Sequence, residues 1–277
     1  MNYIELKVSS ENSGRVEILM AELAELGFES FVEIPGGLLA YVSEKAFPKE
    51  AVDILMHRDK DSCTFHIQTI AERNWNEEWE KNFEPVTIGS LCHIRAPFHP
   101  ASSCKYEIII EPKMSFGTGH HETTAMMIDL MEGLEISGKR VLDMGCGTGV
   151  LAILAAKMGA AQVVAIDNDE WAYQNTLENL SINQVAGVEA IQGDAGSLET
   201  YKDQPFDIIL ANINRNILLR DLEAYAAVLK EGGRILFSGF LKEDRTKLVD
   251  KARQFSIQEE RFITLNQWMA LLMVKIV

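Results

Sequence analysis

The sequence predicts a doubly wound α/β domain closed by an antiparallel C-terminal hairpin and preceded by a small α+β domain. Three observations lead there. From residue 119 onward, helix-like segments alternate with short, nearly uninterrupted apolar runs such as "RVLDM", "QVVAID" and "FDIILAN". Such runs are the mark of parallel strands covered on both faces. The end of the chain, "FSIQEERFITLNQWMALLMVKIV", holds two strand-like runs joined directly, as in a hairpin at a sheet edge. The first 70 residues follow a different order, with their own strands and helices.

Taken in order, "YIELKV" alternates as a strand does, and "SSENSGRVEILMAELAELG" reads as a capped amphipathic helix closed by Gly27. "FESFVEI" and "LLAYVSE" flank Pro35-Gly36-Gly37, a hairpin signal. "FPKEAVDILMHR" then reads as a helix and "CTFHIQTI" as a strand. The order βαββαβ is that of a ferredoxin-like domain. It carries no cluster of reactive side chains, so residues 1–70 are expected to form a binding module. In residues 71–85, Trp75, Trp79 and Phe83 recur every four positions, which predicts a linker helix with one aromatic face; that stripe packs against both domains or stacks on a partner. Pro85 ends it. The domain from 86 to 277 opens with "VTIG", "LCHIRA" and "KYEIIIE", read as short antiparallel strands. There follow a helix "HHETTAMMIDLMEGLE", the strand "RVLDM", a glycine loop with its helix, "QVVAID", the helix "EWAYQNTLENLSINQ", "VEAIQG", "FDIILAN", a helix near 216–230 and "RILFSG".

Composition narrows the function. The formal charge is −15, from 41 acids against 26 bases, so the surface as a whole repels phosphate backbones. A basic protein or a cationic ligand suits it better than free nucleic acid. The start, "MNYIELKVSS", lacks the basic then apolar pattern of a signal peptide, and no uncharged apolar stretch reaches the roughly 18 residues of a membrane span. A cytoplasmic protein is expected. Cys63, Cys92, Cys104 and Cys146 include no CxxC pair and read as reduced structural thiols. The grouping of Cys92, His93, His99 and Cys104 matches no common zinc spacing. His120, His121 and Glu122 are better explained as a polar first turn that caps a helix than as metal ligands, and no metal is expected.

The chemistry gathers at "VLDMGCGTGVLAILAAKMGAAQVVAIDND". Asp143 ends one strand, Gly145, Gly147 and Gly149 follow, and a helix starts. Glycine lets a backbone turn sharply and approach a ligand closely. A dinucleotide loop would read GxGxxG, with pyrophosphate on the helix N-terminus; here the third glycine is one residue early, Val150 takes its place, and an acid stands just ahead. Asp167, at the end of the next strand, suits a ribose with two free hydroxyls. Asp194 in "GDAGS" is either a further cofactor contact or an exposed loop acid. Asn212, ending "FDIILAN", is followed by Ile213, Asn214 and Arg215.

The loop together with "AIDND" resembles the class I methyltransferases that use S-adenosylmethionine, on a Rossmann-like sheet. That resemblance implies a glycine loop beside the methionine part of the cofactor, Asp167 on the ribose and Asn212 facing the reactive methyl. Enzymes of that class acting on adenine or glutamine nitrogens follow the Asn or Asp with Pro-Pro and an aromatic residue, which this chain lacks, so planar nitrogens are disfavoured as targets. "MSFGTGHHETT", "LANI" and "QWMALL" further resemble the PrmA group, which methylates large-subunit ribosomal protein eleven. By that resemblance the cofactor site comprises Phe116, Thr124, Gly145, Gly147, Asp167 and Asn212. Asn212 orients the accepting lysine or N-terminal amine, and the N-terminal domain docks ribosomal protein eleven, free or on the ribosome, with no membrane partner and no nucleic-acid specificity. Other readings stay open: a methyltransferase for RNA or a small molecule, a nicotinamide-binding oxidoreductase, and a binding protein without turnover.

Overall fold

The computed structural model describes residues 3–10, 12–70, 83–111, 113, 117, 119 and 121–276. The chain divides into two compact units, Met1–Glu78 and Trp79–Val277. Of the expected linker helix, residues 71–82 with Trp75 and Trp79 lie outside the described residues.

The first unit follows the order β1 (Tyr3–Ser9), α1 (Ser13–Glu25), β2 (Ser30–Ile34), β3 (Gly37–Ser43), α2 (Lys49–Asp59) and β4 (Thr64–Ile70). Its sheet runs β2-β3-β1-β4 and every pairing is antiparallel. Alternation along β1 turns Ile4, Leu6 and Val8 inward onto Leu19 and Leu23 of α1 and Val52 and Leu55 of α2. Each such buried aliphatic side chain is worth about 1.5–3 kcal/mol. Gly27, at φ +93°, ends α1 as the sequence suggests. The Phe28 N–H bonds to the Leu23 carbonyl at 3.1 Å and the Gly27 N–H to the Ala24 carbonyl at 3.0 Å, satisfying the last helical carbonyls.

The second unit begins with a small sheet of β5 (Val86–Ile88), β6 (Cys92–Arg95) and β7 (Tyr106–Ile109). β5 pairs antiparallel with β6, but β6 and β7 are parallel, against the expectation of three antiparallel strands. Residues 96–105 give the chain enough length to return to the same end of the sheet, which a tight hairpin would not. Arg95 fixes the pair by a fork onto Glu107, at 2.9 and 3.1 Å.

The main sheet follows α3 (Glu122–Glu132) and comprises β8 (Arg140–Met144), α4 (Val150–Lys157), β9 (Gln162–Asp167), α5 (Glu170–Ile182), β10 (Val188–Gln192), β11 (Phe206–Asn212), α6 (Arg215–Val228), β12 (Leu229–Leu241), α7 (Arg245–Arg253), β13 (Ile257–Leu265) and β14 (Trp268–Lys275). Strand order is β10-β9-β8-β11-β12-β14-β13. The first five strands are parallel, and β14 runs antiparallel to both β12 and β13. Helix α7, which the sequence reading passed over, buries Leu248, Val249 and Ala252 among mostly charged residues. The chain steps outward from β8 to β10, then crosses back to β11. The carboxyl ends of β8 and β11 therefore meet at the topological switch point, where open α/β sheets bind ligands.

Candidate active site

Beyond that switch point lies a cleft of about 500 Å³, bordered by Gly145, Gly147, Asp167, Asn212, Ile213 and Trp268 among others. Its size is that of a small-molecule site. Gly145, Gly147 and Gly149 all have positive φ, at 71°, 58° and 77°, a region that costs other residues strain. A Cβ on Gly145 would also overlap Ile213 Cγ2.

Asp143, just ahead of the loop, is 1% exposed. Its Oδ2 accepts the Ala152 N–H at 2.9 Å. Helix α4 has glycine at its N-cap and no side-chain cap of its own, so a carboxyl from the neighbouring strand takes that role. The helix end that would receive a pyrophosphate in a dinucleotide site is thus already engaged. Burial pushes the Asp143 carboxyl up to about 7, against the pull of the Ala152 N–H and with a further push from Asp167.

Asp167 ends β9 at the cleft wall. Its Oδ2 accepts the Gly147 N–H at 2.9 Å and its Oδ1 the Asp169 N–H at 3.0 Å. Each oxygen keeps a lone pair for a ligand hydroxyl. Asp169 in turn caps α5 through the Ala172 N–H at 2.9 Å, which puts Trp171 on the first turn, 81% exposed at the cleft mouth.

Asn212 ends β11 and is 8% exposed. Its Nδ2 donates to Thr124 Oγ1 at 3.2 Å, and its Oδ1 has no partner among the described residues. A buried, unpaired carbonyl costs about 1–3 kcal/mol, so this atom asks for a donor from a ligand. The following residue is clamped: the Ile213 side chain faces Gly145, and an added Cβ on Gly239, whose φ is +89°, would lie 2.5 Å from the Ile213 carbonyl oxygen.

The opposite wall comes from α3 and the terminal hairpin. His121 caps α3, its Nδ1 accepting the Thr123 N–H at 3.3 Å, in accord with the capping account of "HHET". Its ring meets Trp268 edge-on, with centroids 4.8 Å apart. A two-residue turn at Asn266, φ 51°, returns β13 into β14, and Asn266 Nδ2 donates to Glu122 Oε1 at 3.0 Å. The hairpin tip is thereby tied to the start of α3.

The structure therefore brings Gly145, Gly147, Asp167 and Asn212 to one cleft. Thr124 is wholly buried and reaches the cleft only through Asn212. Phe116 lies outside the described residues. Asp194 is an exposed loop acid that caps the following 3₁₀ segment through the Gly196 N–H at 2.8 Å, and it does not border the cleft. Sequence reasoning missed Ile213 and Gly239, since the clamp sets Ile213 against glycines 68 and 26 residues away in the chain. His121 and Trp268 stood within the quoted motifs, but nothing in the sequence paired them.

Strand order, glycine loop and the carboxylate ending β9 define a methyltransferase-like α/β domain. The solved structure of the ribosomal protein L11 methylase of Lactobacillus delbrueckii subsp. bulgaricus superposes with a TM-score of 0.63 and 26% identity, covering 70% of this chain and all of that one. The family model described as "Ribosomal protein L11 methyltransferase (PrmA)" matches residues 9–276. Proteins named ribosomal protein L11 methyltransferase are 41% identical in Phocaeicola vulgatus, over 98% of both chains, and 44% identical in Porphyromonas gingivalis, over 92% of this chain and 89% of that one. The chain belongs to the PrmA family.

Proposed function

We propose that this protein transfers methyl groups from S-adenosylmethionine to amines of ribosomal protein L11, on lysine side chains, the N-terminus or both. The observation that carries the chemistry is the buried, unpartnered Oδ1 of Asn212 at the end of β11, on a cleft of about 500 Å³ that the glycine loop borders. The residues present fit the cofactor: Asp167 offers two acceptor oxygens to a ribose diol, and the positive φ of Gly145 and Gly147 turns the loop along the cleft. Thr124 fixes the Asn212 amide from behind, and the family resemblance assigns Phe116 to the same cofactor site.

When bound, S-adenosylmethionine supplies a methyl on a sulfonium, already activated toward an amine lone pair. The protein's share is alignment and exclusion of water. Asn212 Oδ1 accepts an N–H of the incoming amine, which points the lone pair away from that bond. Deprotonating a lysine at pH 7 costs about 4–5 kcal/mol, and an α-amine about 1–1.5 kcal/mol. Among the described residues bordering the cleft, Asp169 is used as a helix cap, Asp167 holds two backbone N–H groups and His121 holds Thr123. Reactivity therefore rests on desolvation and orientation of the amine rather than on a strong base.

The first unit, with its βαββαβ order, is the ferredoxin-like module that docks the protein substrate. The formal charge of −15 favours a cationic protein partner over a nucleic acid and a cytoplasmic role at or near the ribosome. No helix among the described residues is long and apolar enough to cross a membrane.

The test is the intact mass of purified ribosomal protein L11 after incubation with this protein and S-adenosylmethionine. Gain in whole methyl units is the expected result, and fragment masses then locate the amines. No gain, in a preparation that binds the cofactor, would overturn the assignment of the acceptor.

A further inference from the structure

Helix α5 carries Asn175 and Asn179, with Thr176 beside them, and its C-cap residue Asn183 continues the interval of four. Asparagine is a poor helix former, so three on one face require another cause. Asn175, Thr176 and Asn179 are at most 1% exposed; Asn175 Oδ1 has no partner among the described residues, whereas the polar groups of Thr176, Asn179 and Asn183 are spent largely on two other segments. Asn183 serves the last residue of β7 as a strand neighbour would: its Oδ1 accepts the Ile109 N–H at 2.9 Å and its Nδ2 donates to the Ile109 carbonyl at 2.6 Å. One turn earlier, Asn179 Oδ1 accepts the Glu111 N–H at 2.8 Å, while its Nδ2 donates to the Thr148 carbonyl at 2.9 Å. Thr176 Oγ1 donates to the Gly147 carbonyl at 2.8 Å. Thr148 Oγ1 then donates to the Gly117 carbonyl, also at 2.8 Å.

We propose that Asn179, aided by Thr176, is a positioning residue that pre-sets the glycine loop for its cofactor and joins it to the segment around Glu111. This rests on the reading of the loop as the S-adenosylmethionine site. Glycine at every second position leaves a backbone free to rotate, and ordering it on binding would cost affinity. Peptide units are planar, so holding the carbonyls of Gly147 and Thr148 against α5 fixes two successive peptide planes. The Gly147 N–H is held at the same time by Asp167. Asn179 is the one rung of the ladder that touches both sides, since Asn183 reaches only Ile109 and its own helix.

The difference between those two rungs supplies the test. S-adenosylhomocysteine binding is measured by calorimetry, and thermal midpoint by scanning calorimetry, for the full chain and for Asn179→Asp, Thr176→Val and Asn183→Ala. Asn179→Asp keeps the acceptor for Glu111 and loses the donor to Thr148; Thr176→Val keeps the shape and loses the bond to Gly147. The inference expects Kd to rise at least tenfold in both. Asn183→Ala should lower the thermal midpoint while leaving Kd within twofold of the unaltered chain. Kd within twofold for Asn179→Asp and Thr176→Val, or a tenfold rise in Asn183→Ala at an equal loss of stability, would overturn it as a merely structural ladder. An unaltered chain that fails to bind S-adenosylhomocysteine overturns the cofactor reading itself, and this inference with it.

Discussion

The Asn212 side chain gives its amide N–H to Thr124 Oγ1 at 3.2 Å and keeps its carbonyl oxygen, buried and unpaired, for whatever enters the cleft. One hydroxyl on α3 thus decides which end of an amide at the tip of β11 meets the ligand. Asn212→Ala should lower turnover about 10²–10³-fold, in the range seen when a single hydrogen-bonding group at a reacting centre is removed. Thr124→Val frees the amide to rotate and should cost roughly tenfold. Methyl transfer to ribosomal protein L11 measured with labelled S-adenosylmethionine gives both numbers. Full turnover in Asn212→Ala would remove the residue from the reaction.

Asp167 has a double part in the proposed site, since the carboxylate assigned to the ribose also holds the Gly147 N–H at 2.9 Å. Asp167→Asn replaces one acceptor oxygen by a donor, so either the loop or the ligand loses a partner. The expected result is a rise in the S-adenosylhomocysteine Kd of about 10–100-fold, or roughly 1.4–2.8 kcal/mol. Titration with NAD should show no heat for the unaltered chain. Tight NAD binding would favour the oxidoreductase reading.

The carboxyl of Asp143 carries a pH signature. Burial raises it from 3.8 to about 7, so between about pH 4 and 7 the folded state keeps a proton that the unfolded chain has lost. A group raised in this way favours folding fully below its unfolded value, and that contribution is lost as pH rises toward its folded value. Asp143→Asn keeps an acceptor for the Ala152 N–H and cannot ionise. The stability of the unaltered chain relative to Asp143→Asn should therefore fall across pH 4–7, by on the order of 2–4 kcal/mol, and level off above. Denaturant unfolding of the pair at several pH values reads this directly. A difference that does not change with pH would mean that Asp143 is ionised in the fold.

Gly239 is constrained twice, by φ +89° and by the Ile213 carbonyl oxygen 2.5 Å from any added Cβ. Because the obstacle is backbone, it cannot swing aside as a flexible side chain would. Gly239→Ala should lose about 1–3 kcal/mol and weaken S-adenosylhomocysteine binding, since the displaced residue also borders Gly145. Thermal unfolding and calorimetry check the two effects together. An unchanged thermal midpoint would mean that β12 yields easily where its register shifts, between Phe237 and Phe240.

Periodicity was enough to place most elements. The βαββαβ order, the alternation after residue 119 and the two runs of the terminal hairpin all appear where local pattern put them, because side-chain period and turn chemistry are local properties. The parallel pairing of β6 with β7 was not legible, since strand direction depends on where a ten-residue connection leads. Helix α7 escaped because it buries only three apolar residues among charges. In the cleft, Gly145, Gly147, Asp167 and Asn212 carry a spacing that announces a loop and two strand ends. The place of Thr124 behind Asn212 is a fact of packing, and Phe116 lies outside the described residues.

The sequence by itself determined the fold class, the glycine loop and the acids and amide at the strand ends, for these follow from residue type and short-range spacing. Only the tertiary structure decided how those groups are used. The Asp143 carboxyl became a helix cap, Asp167 a brace for the loop, Ile213 a clamped wedge between two glycines, and Asn179 and Thr176 of α5 a set of ties onto the glycine loop. Each of these roles depends on contacts between segments tens of residues apart, where hydrogen-bond reach and the space left by a missing Cβ select the partner. No local pattern encodes that geometry.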